Sequence, residues 1–275
     1  MRLNRQLQFL ALVTITACLV SRFSNAANAA SATEARITRV NGHVQLLRPM
    51  MAARRASVND IVDEDTILRT GSSSRAELTF SDATVVRLAA NTAFSFKNGT
   101  HDLNLTEGAV LIQSPKGSNG ATIHAGAVAS SIAGTTSMLE YHPGVCKFLA
   151  LEGNGRLYRP GHLGDSVLVG PGQLVMGNPN AAVSDPVDFD IARFVKTSRF
   201  IVGLPPLRSE KLVAAESQKQ QQEKSKKTLI DTNLVIFGGG TRVSVLGQAQ
   251  THVAGRITAG PTTPHSTPEA NSAAQ

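Results

Sequence analysis

The chain of 275 residues has no tryptophan, two tyrosines and two cysteines, and aromatic residues make up 4% of it. Aliphatic side chains and ten phenylalanines must therefore build any core. Cys18 lies in a leader-like N-terminal segment, so loss of that segment leaves Cys146 alone and excludes an intramolecular disulfide. Long apolar runs are also missing. The best, Leu7 to Val20, has about 14 residues, short of the roughly 20 that a membrane-crossing helix needs. A charge excess of one sign is absent from the middle of the chain. Residues 31–186 carry 13 Lys/Arg against 13 Asp/Glu, and the basic surplus sits in the leader and after Val187. Without a basic stripe to neutralise phosphates, nucleic-acid binding is not expected.

The first 29 residues have a positive start at Arg2 and Arg5, the apolar run, and Ser24-Asn25-Ala26 or Ala27-Asn28-Ala29 as a small-x-small cleavage site. A signal peptide over 1–29 is the reading, which sends the protein to the periplasm or the cell surface. Two alternatives stay open: an uncleaved anchor, and a lipid anchor at Cys18. Ile15-Thr16-Ala17-Cys18 resembles a lipobox, although Leu19 and Val20 continue the apolar run past the cysteine. About 250 residues remain, enough for one sizeable core with accessories.

Short strands dominate from Ile37 to Met176. Asn41-Gly42 is a hairpin signal between Ile37/Val40 and Val44/Leu46. Ala76, Leu78 and Phe80 alternate with Arg75, Glu77 and Thr79, the period of two of a half-buried strand. Separate strands are expected at Leu103–Leu105 and Ala109–Gln113, with others following to Met176. Turn signals recur at sandwich, roll or solenoid spacing. The character changes at Pro186. Asp188 is placed to cap a helix carrying Ile191, Phe194, Val195 and Ser198 on one face. Leu207 to Lys227 reads as a solvated helix or linker, because it lacks an apolar stripe past Val213. Leu234–Phe237, Gly238-Gly239-Gly240 and Val243–Leu246 form a hairpin pattern, and the Thr/Pro/Ala/Ser tail is expected to be disordered.

Several of these segments together resemble the FecR-domain family. They are Leu68-Arg69-Thr70-Gly71, Arg75 to Asp82, Arg87-Leu88-Ala89-Ala90-Asn91-Thr92, and Leu105-Thr106-Glu107-Gly108-Ala109-Val110. Gly134-Thr135-Thr136, Leu151-Glu152-Gly153 and Gly170-Pro171-Gly172-Gln173 follow in the family's order, so the resemblance runs from about Asp60 to Met176. The family's usual Asp-Gly turn is Asp82-Ala83 here. The resemblance implies an envelope β domain. The family's best-known members add a cytoplasmic anti-sigma segment and a membrane helix ahead of it, and relay a transporter's signal to a sigma factor.

Chemistry-bearing clusters are sparse. His142-x-x-x-Cys146 spans a turn with metal-ligand spacing, but Cys146 opens an apolar strand where a small thiol packs. Asp63-Glu64-Asp65 lacks the alternating acids of a calcium loop. Gly238-Gly239-Gly240 is followed by a strand, not the helix of a phosphate loop. No G-x-S-x-G elbow occurs.

The sequence therefore predicts an all-β, FecR-like sandwich or roll with a docking helix, a linker helix and a terminal hairpin. The segments are a signal peptide (1–29), a β domain (30–186), the helices (187–228), the hairpin (229–250) and a disordered tail (251–275). The expected function is non-catalytic binding or signal relay in the cell envelope, with no metal or cofactor. Its partner is an envelope protein or polymer. Thr135, Glu152 and Gln173 are the candidate binding residues. One rival is a membrane-anchored sigma-factor regulator. The other is a polysaccharide-active enzyme, which requires two converging acids among Asp82, Glu107, Glu140 and Glu152.

Overall fold

The computed structural model describes residues 34–64, 66–97, 102–178 and 180–223, together with the backbone of 229–230 and 245–246. The leader, the Cys18 lipobox, Asp65, the triglycine and the tail lie outside the described residues. In chain order the strands begin with β1 (Ala35–Asn41), β2 (Val44–Leu47), β3 (Arg54–Arg55), β4 (Ile61–Val62), β5 (Ile67–Thr70) and β6 (Arg75–Phe80). They continue with β7 (Val85–Leu88), β8 (Ala93–Phe96), β9 (Asp102–Gln113), β10 (Ala121–Ala125), β11 (Val128–Ile132) and β12 (Thr136–His142). The last of the domain are β13 (Val145–Glu152), β14 (Gly155–Tyr158), β15 (Ser166–Val169), β16 (Gln173–Gly177) and β17 (Val187–Asp188). Helices α1 (Ile191–Thr197) and α2 (Glu210–Glu223) follow, then β18 (Leu229–Ile230) and β19 (Val245–Leu246), which pair antiparallel. The fold class is all-β, as the sequence predicts.

The pairings resolve into two sheets that share β9. The first runs β4-β1-β6-β7-β9-β12-β13-β16-β17. The second runs β3-β2-β5-β8-β9-β10-β11-β14-β15, with β9–β10 its parallel pair. One face of each sheet supplies the main core, where Ile37, Leu78, Val110 and Phe148 of the first sheet join Leu68, Phe94, Leu105 and Leu157 of the second.

The sheets explain why two sequence readings fail. Asn41-Gly42 does not close a hairpin, because β1 pairs in the first sheet and β2 in the second. Gly42 is instead a corner, at φ +81. Leu103–Leu105 and Ala109–Gln113 are not two strands but one, β9. Its first half pairs β8 and its second half pairs β12. Gly108 is the bend, at φ +94, and a Cβ there would lie 2.6 Å from the Asn91 carbonyl oxygen. Only glycine permits both that φ and that approach.

Other glycine motifs do the same work. The chain passes between sheets after Thr70-Gly71, at Gly134, at Gly153-Asn154 and at Gly170-Pro171-Gly172, since the flanking strands belong to different sheets. Leaving a ladder frees backbone groups, and buried threonines take them up. Thr70 Oγ1 donates to Ala89 O at 2.6 Å and accepts from Thr92 N at 2.9 Å. Thr92 Oγ1 accepts from Ala109 N at 3.1 Å, next to the Gly108 bend. In the β6–β7 turn, Ala83 adopts φ +70 and Asp82 Oδ1 accepts from Thr84 N.

Candidate functional site

The outer face of the first sheet is not open. A row of facing residues crosses it, Arg87–Leu111–Met138–Leu149–Leu174. Residues 189–213 lie over this row as a strap, contributing Phe189, Ile191, Phe194, Phe200, Leu207 and Val213 to a second apolar cluster. α1 is capped by Asp190, whose side chain accepts from Arg193 N at 2.9 Å, and not by Asp188. Asp188 is taken up by pairing with Gln173 at the sheet edge. α2 buries Val213 alone.

Polar side chains of the same face grip the strap backbone. Arg87 is 2% exposed. Its Nε donates to Glu77 Oε2 at 2.8 Å, Nη1 to Phe200 O at 2.7 Å and Nη2 to Pro205 O at 2.6 Å. Burial lowers the Arg87 pKa, opposed by the hydrogen bond and charge of Glu77. Arg75 Nη1 donates to Arg199 O and Val202 O, both at 2.9 Å. Arg208 N donates to Gln113 Oε1 at 3.2 Å. At the start of α2, Thr136 Oγ1 lies 2.6 Å from Ser209 Oγ and donates to Glu152 Oε1 at 2.9 Å. Gln220 donates to Phe189 O and accepts from Ile191 N, tying α2 to the start of α1.

Of the predicted binding residues, Glu152 reaches the strap through its partner Thr136. Glu152 is 4% exposed and faces Thr136 across the β12–β13 pair. Burial holds its carboxyl above the ordinary carboxylate range, against the Thr136 hydrogen bond and the Lys116 charge, with Glu216 adding to the rise. Thr135 is fully buried, and its Cγ2 lies 2.6 Å from where a Cβ on Gly153 would be. Its hydroxyl has no hydrogen-bond partner among the described residues. Gln173 sits at the next corner, where its Oε1 accepts from Gly170 N at 2.9 Å. Sequence reasoning missed Arg87 and Arg75. Their strap partners lie more than 100 residues away in the chain, so the family-like segments that contain both do not mark them as anchors.

The other chemistry-bearing groups are spread out. Cys146 is 1% exposed, and its thiol is pushed up by burial first and by Glu140 second. His142 Nε2 is 3.2 Å from Glu140 Oε1, which shares its carboxylate with Lys147 Nζ at 2.5 Å. Glu140 and Glu152 occupy opposite ends of the β12–β13 pair, Glu107 is exposed on β9 and Asp82 holds its turn. Asp63 pairs with Arg48 at 3.0 Å.

The second sheet presents the contrasting outer face. Across it run Asp102–Thr122–Ser131–Arg156–Leu168 and Asn104–His124–Ala129–Tyr158–Ser166. This face ends at β15, which pairs only with β14 among the described strands. Arg159 N donates to Asp165 O at the hairpin end. The alternation of an antiparallel pair then turns the N–H and C=O groups of Ser166 and Leu168 away from β14. Leu168 is 55% exposed.

Residues 66–154 match the family model described as FecR protein. No curated protein matches the chain. Two crystal structures, each provisionally described as of an anti-sigma factor from Parabacteroides distasonis ATCC 8503, are similar at 11% identity. One superposes with a TM-score of 0.40 over 47% of this chain and 64% of that one. The other gives 0.41 over 67% of this chain and 99% of that one.

Proposed function

From the premise that residues 66–154 are a FecR domain, we propose that the protein is a non-catalytic signal-regulating module of the cell envelope that binds a protein partner. The reading that the first 29 residues are an export signal places it in the periplasm or at the cell surface. The observation that carries the binding mode is the edge at β15, which has no partner strand on its outer side among the described residues. Backbone groups of Ser166 and Leu168 point outward there beside an exposed leucine. An extended segment of a partner would pair with that edge, the ladder giving affinity and alternate side chains giving selectivity. Thr135, Glu152 and Gln173 form a second contact zone, coupled to the strap, because Ser209 and α2 must lift from Thr136 before a partner reaches it.

The test is a pull-down of tagged protein from envelope extract beside the Leu168→Pro variant. Proline removes the outward N–H of residue 168 and leaves the Leu157–Val167 pair intact. A protein recovered by the parent and lost with the variant supports edge pairing. Equal recovery with both, or recovery of a glycan alone, removes it.

A further inference from the structure

The strap itself carries a feature that neither its hydrogen bonds to the first sheet nor the β15 edge uses. Between α1 and α2 lies a cavity of about 330 Å³, floored by Val195, Ile201, Leu207, Val213 and Ala214. Lys196 and Glu210 stand on its rim. Ligand sites are concave, mostly apolar and about 300–1,000 Å³, with a few polar groups that fix orientation. This cavity meets that description at its small end.

The charges around it are lopsided. Lys196, Arg199, Arg208 and Lys211 are exposed on or next to the lining segments. None of the four makes a salt bridge among the described residues. Glu210 is the one acid in the lining. The acids Glu216 and Glu223 of α2 face the other way, beside Pro171 and Asp188. An apolar slot bordered by segments that carry four bases and one acid fits a molecule with an apolar chain and an anionic head.

We propose that the groove between α1 and α2 binds a single-chain anionic amphiphile, its chain along Val195, Leu207 and Ala214 and its carboxylate or phosphate at Lys196. The concave shape selects a free amphiphile over a bilayer. Docking on a membrane surface uses an outward apolar face that sinks into the headgroup region, and this apolar area is recessed between two helices.

Calorimetric titration of the full chain with sodium dodecanoate, kept below its micelle concentration, tests the idea. Dodecyltrimethylammonium serves as the cationic counterpart. Dodecanoate should bind saturably at one site and the cationic amphiphile should bind at least about tenfold more weakly. Ala214→Phe, which fills the slot from an exposed helix position, should abolish binding. Lys196→Glu should weaken dodecanoate about tenfold with circular dichroism unchanged. Lys97→Glu, on the second sheet, should leave binding as it was. Four results overturn the proposal: equal binding of both amphiphiles, undiminished binding by Ala214→Phe, binding confined to phosphatidylglycerol vesicles, or a dimer of the parent that Ala214→Phe dissociates. The β15 edge takes no part in any of these, so they fail or succeed independently of the partner reading.

Discussion

The two sheets share β9 and one core, yet their outer faces carry polar residues for opposite purposes. On the first sheet Arg87, Glu77, Gln113, Thr136 and Glu152 are nearly or fully buried. Three of them, Arg87, Gln113 and Thr136, reach across to the strap, Arg87 with Glu77 as its ion-pair partner. On the second, Asn104, His124, Ser131 and Arg156 are exposed. A strand's period says which residues share a face but not whether that face meets water. A charged residue on the non-core side is a solvated surface group in one sheet and a buried anchor in the other. What separates them is a segment that arrives more than 100 residues later.

The largest way to break this contrast is Arg87→Ala. It leaves Glu77 with the Thr38 hydroxyl at 2.9 Å and the longer Arg39 contact at 3.8 Å, and removing the close member of a buried ion pair costs about 3–5 kcal/mol. Urea unfolding should show that loss, and limited proteolysis should cut residues 198–209 faster. A loss within about 0.5 kcal/mol, the range of ordinary surface changes, would mean that the strap is held by its apolar contacts alone.

The strands were legible because alternation is local. Ala76, Leu78 and Phe80 are buried as their spacing requires. The glycine and threonine motifs are legible as turns but not as crossings, since a corner between sheets and a hairpin can both use a positive φ. Gly42 and Gly108 both have a positive φ, but Gly42 joins β1 and β2 of separate sheets and Gly108 bends the single strand β9, and that difference is decided by non-local pairing. Glu152 was singled out from sequence as a contact residue. The structure buries it against Thr136, whose hydroxyl also meets Ser209 of the strap, a residue 57 positions further along the chain than Glu152. The Asp188 cap was misread for a similar reason: a sheet-edge pairing claimed the residue first.

A smaller effect sharpens the comparison through its sign. Glu152, under the strap, has its carboxyl held above the ordinary range mainly by burial. Its protonated form is favoured in the fold, so the stability it supports is present below the ordinary carboxylate value and is lost as pH rises through the raised one. Asp165, in the β14–β15 turn of the second sheet, is held below the ordinary range by the Val183 N–H first and by Arg159 next. Its contribution is present above the ordinary value and lost as pH falls through the lowered one. Melting temperatures followed across the acid range should therefore respond oppositely. Glu152→Gln should flatten the decline on raising pH, and Asp165→Asn the decline on lowering it. If both variants shift the profile in one direction, the two carboxyls do not sit in the contrasting environments described.

The smallest expected effect is the control on the open face. Arg156 is exposed on β14, and its side chain donates to Ser166 Oγ at 3.0 Å. It lies on the non-core side of its strand, as Arg87 does, but nothing covers it among the described residues. A surface hydrogen bond of this kind contributes little, because water replaces the lost partner at once. Arg156→Ala should stay within about 0.5 kcal/mol of the parent in urea unfolding. A loss comparable to that of Arg87→Ala would show that the second sheet's outer face is also covered in solution, and the contrast between the two faces would no longer hold.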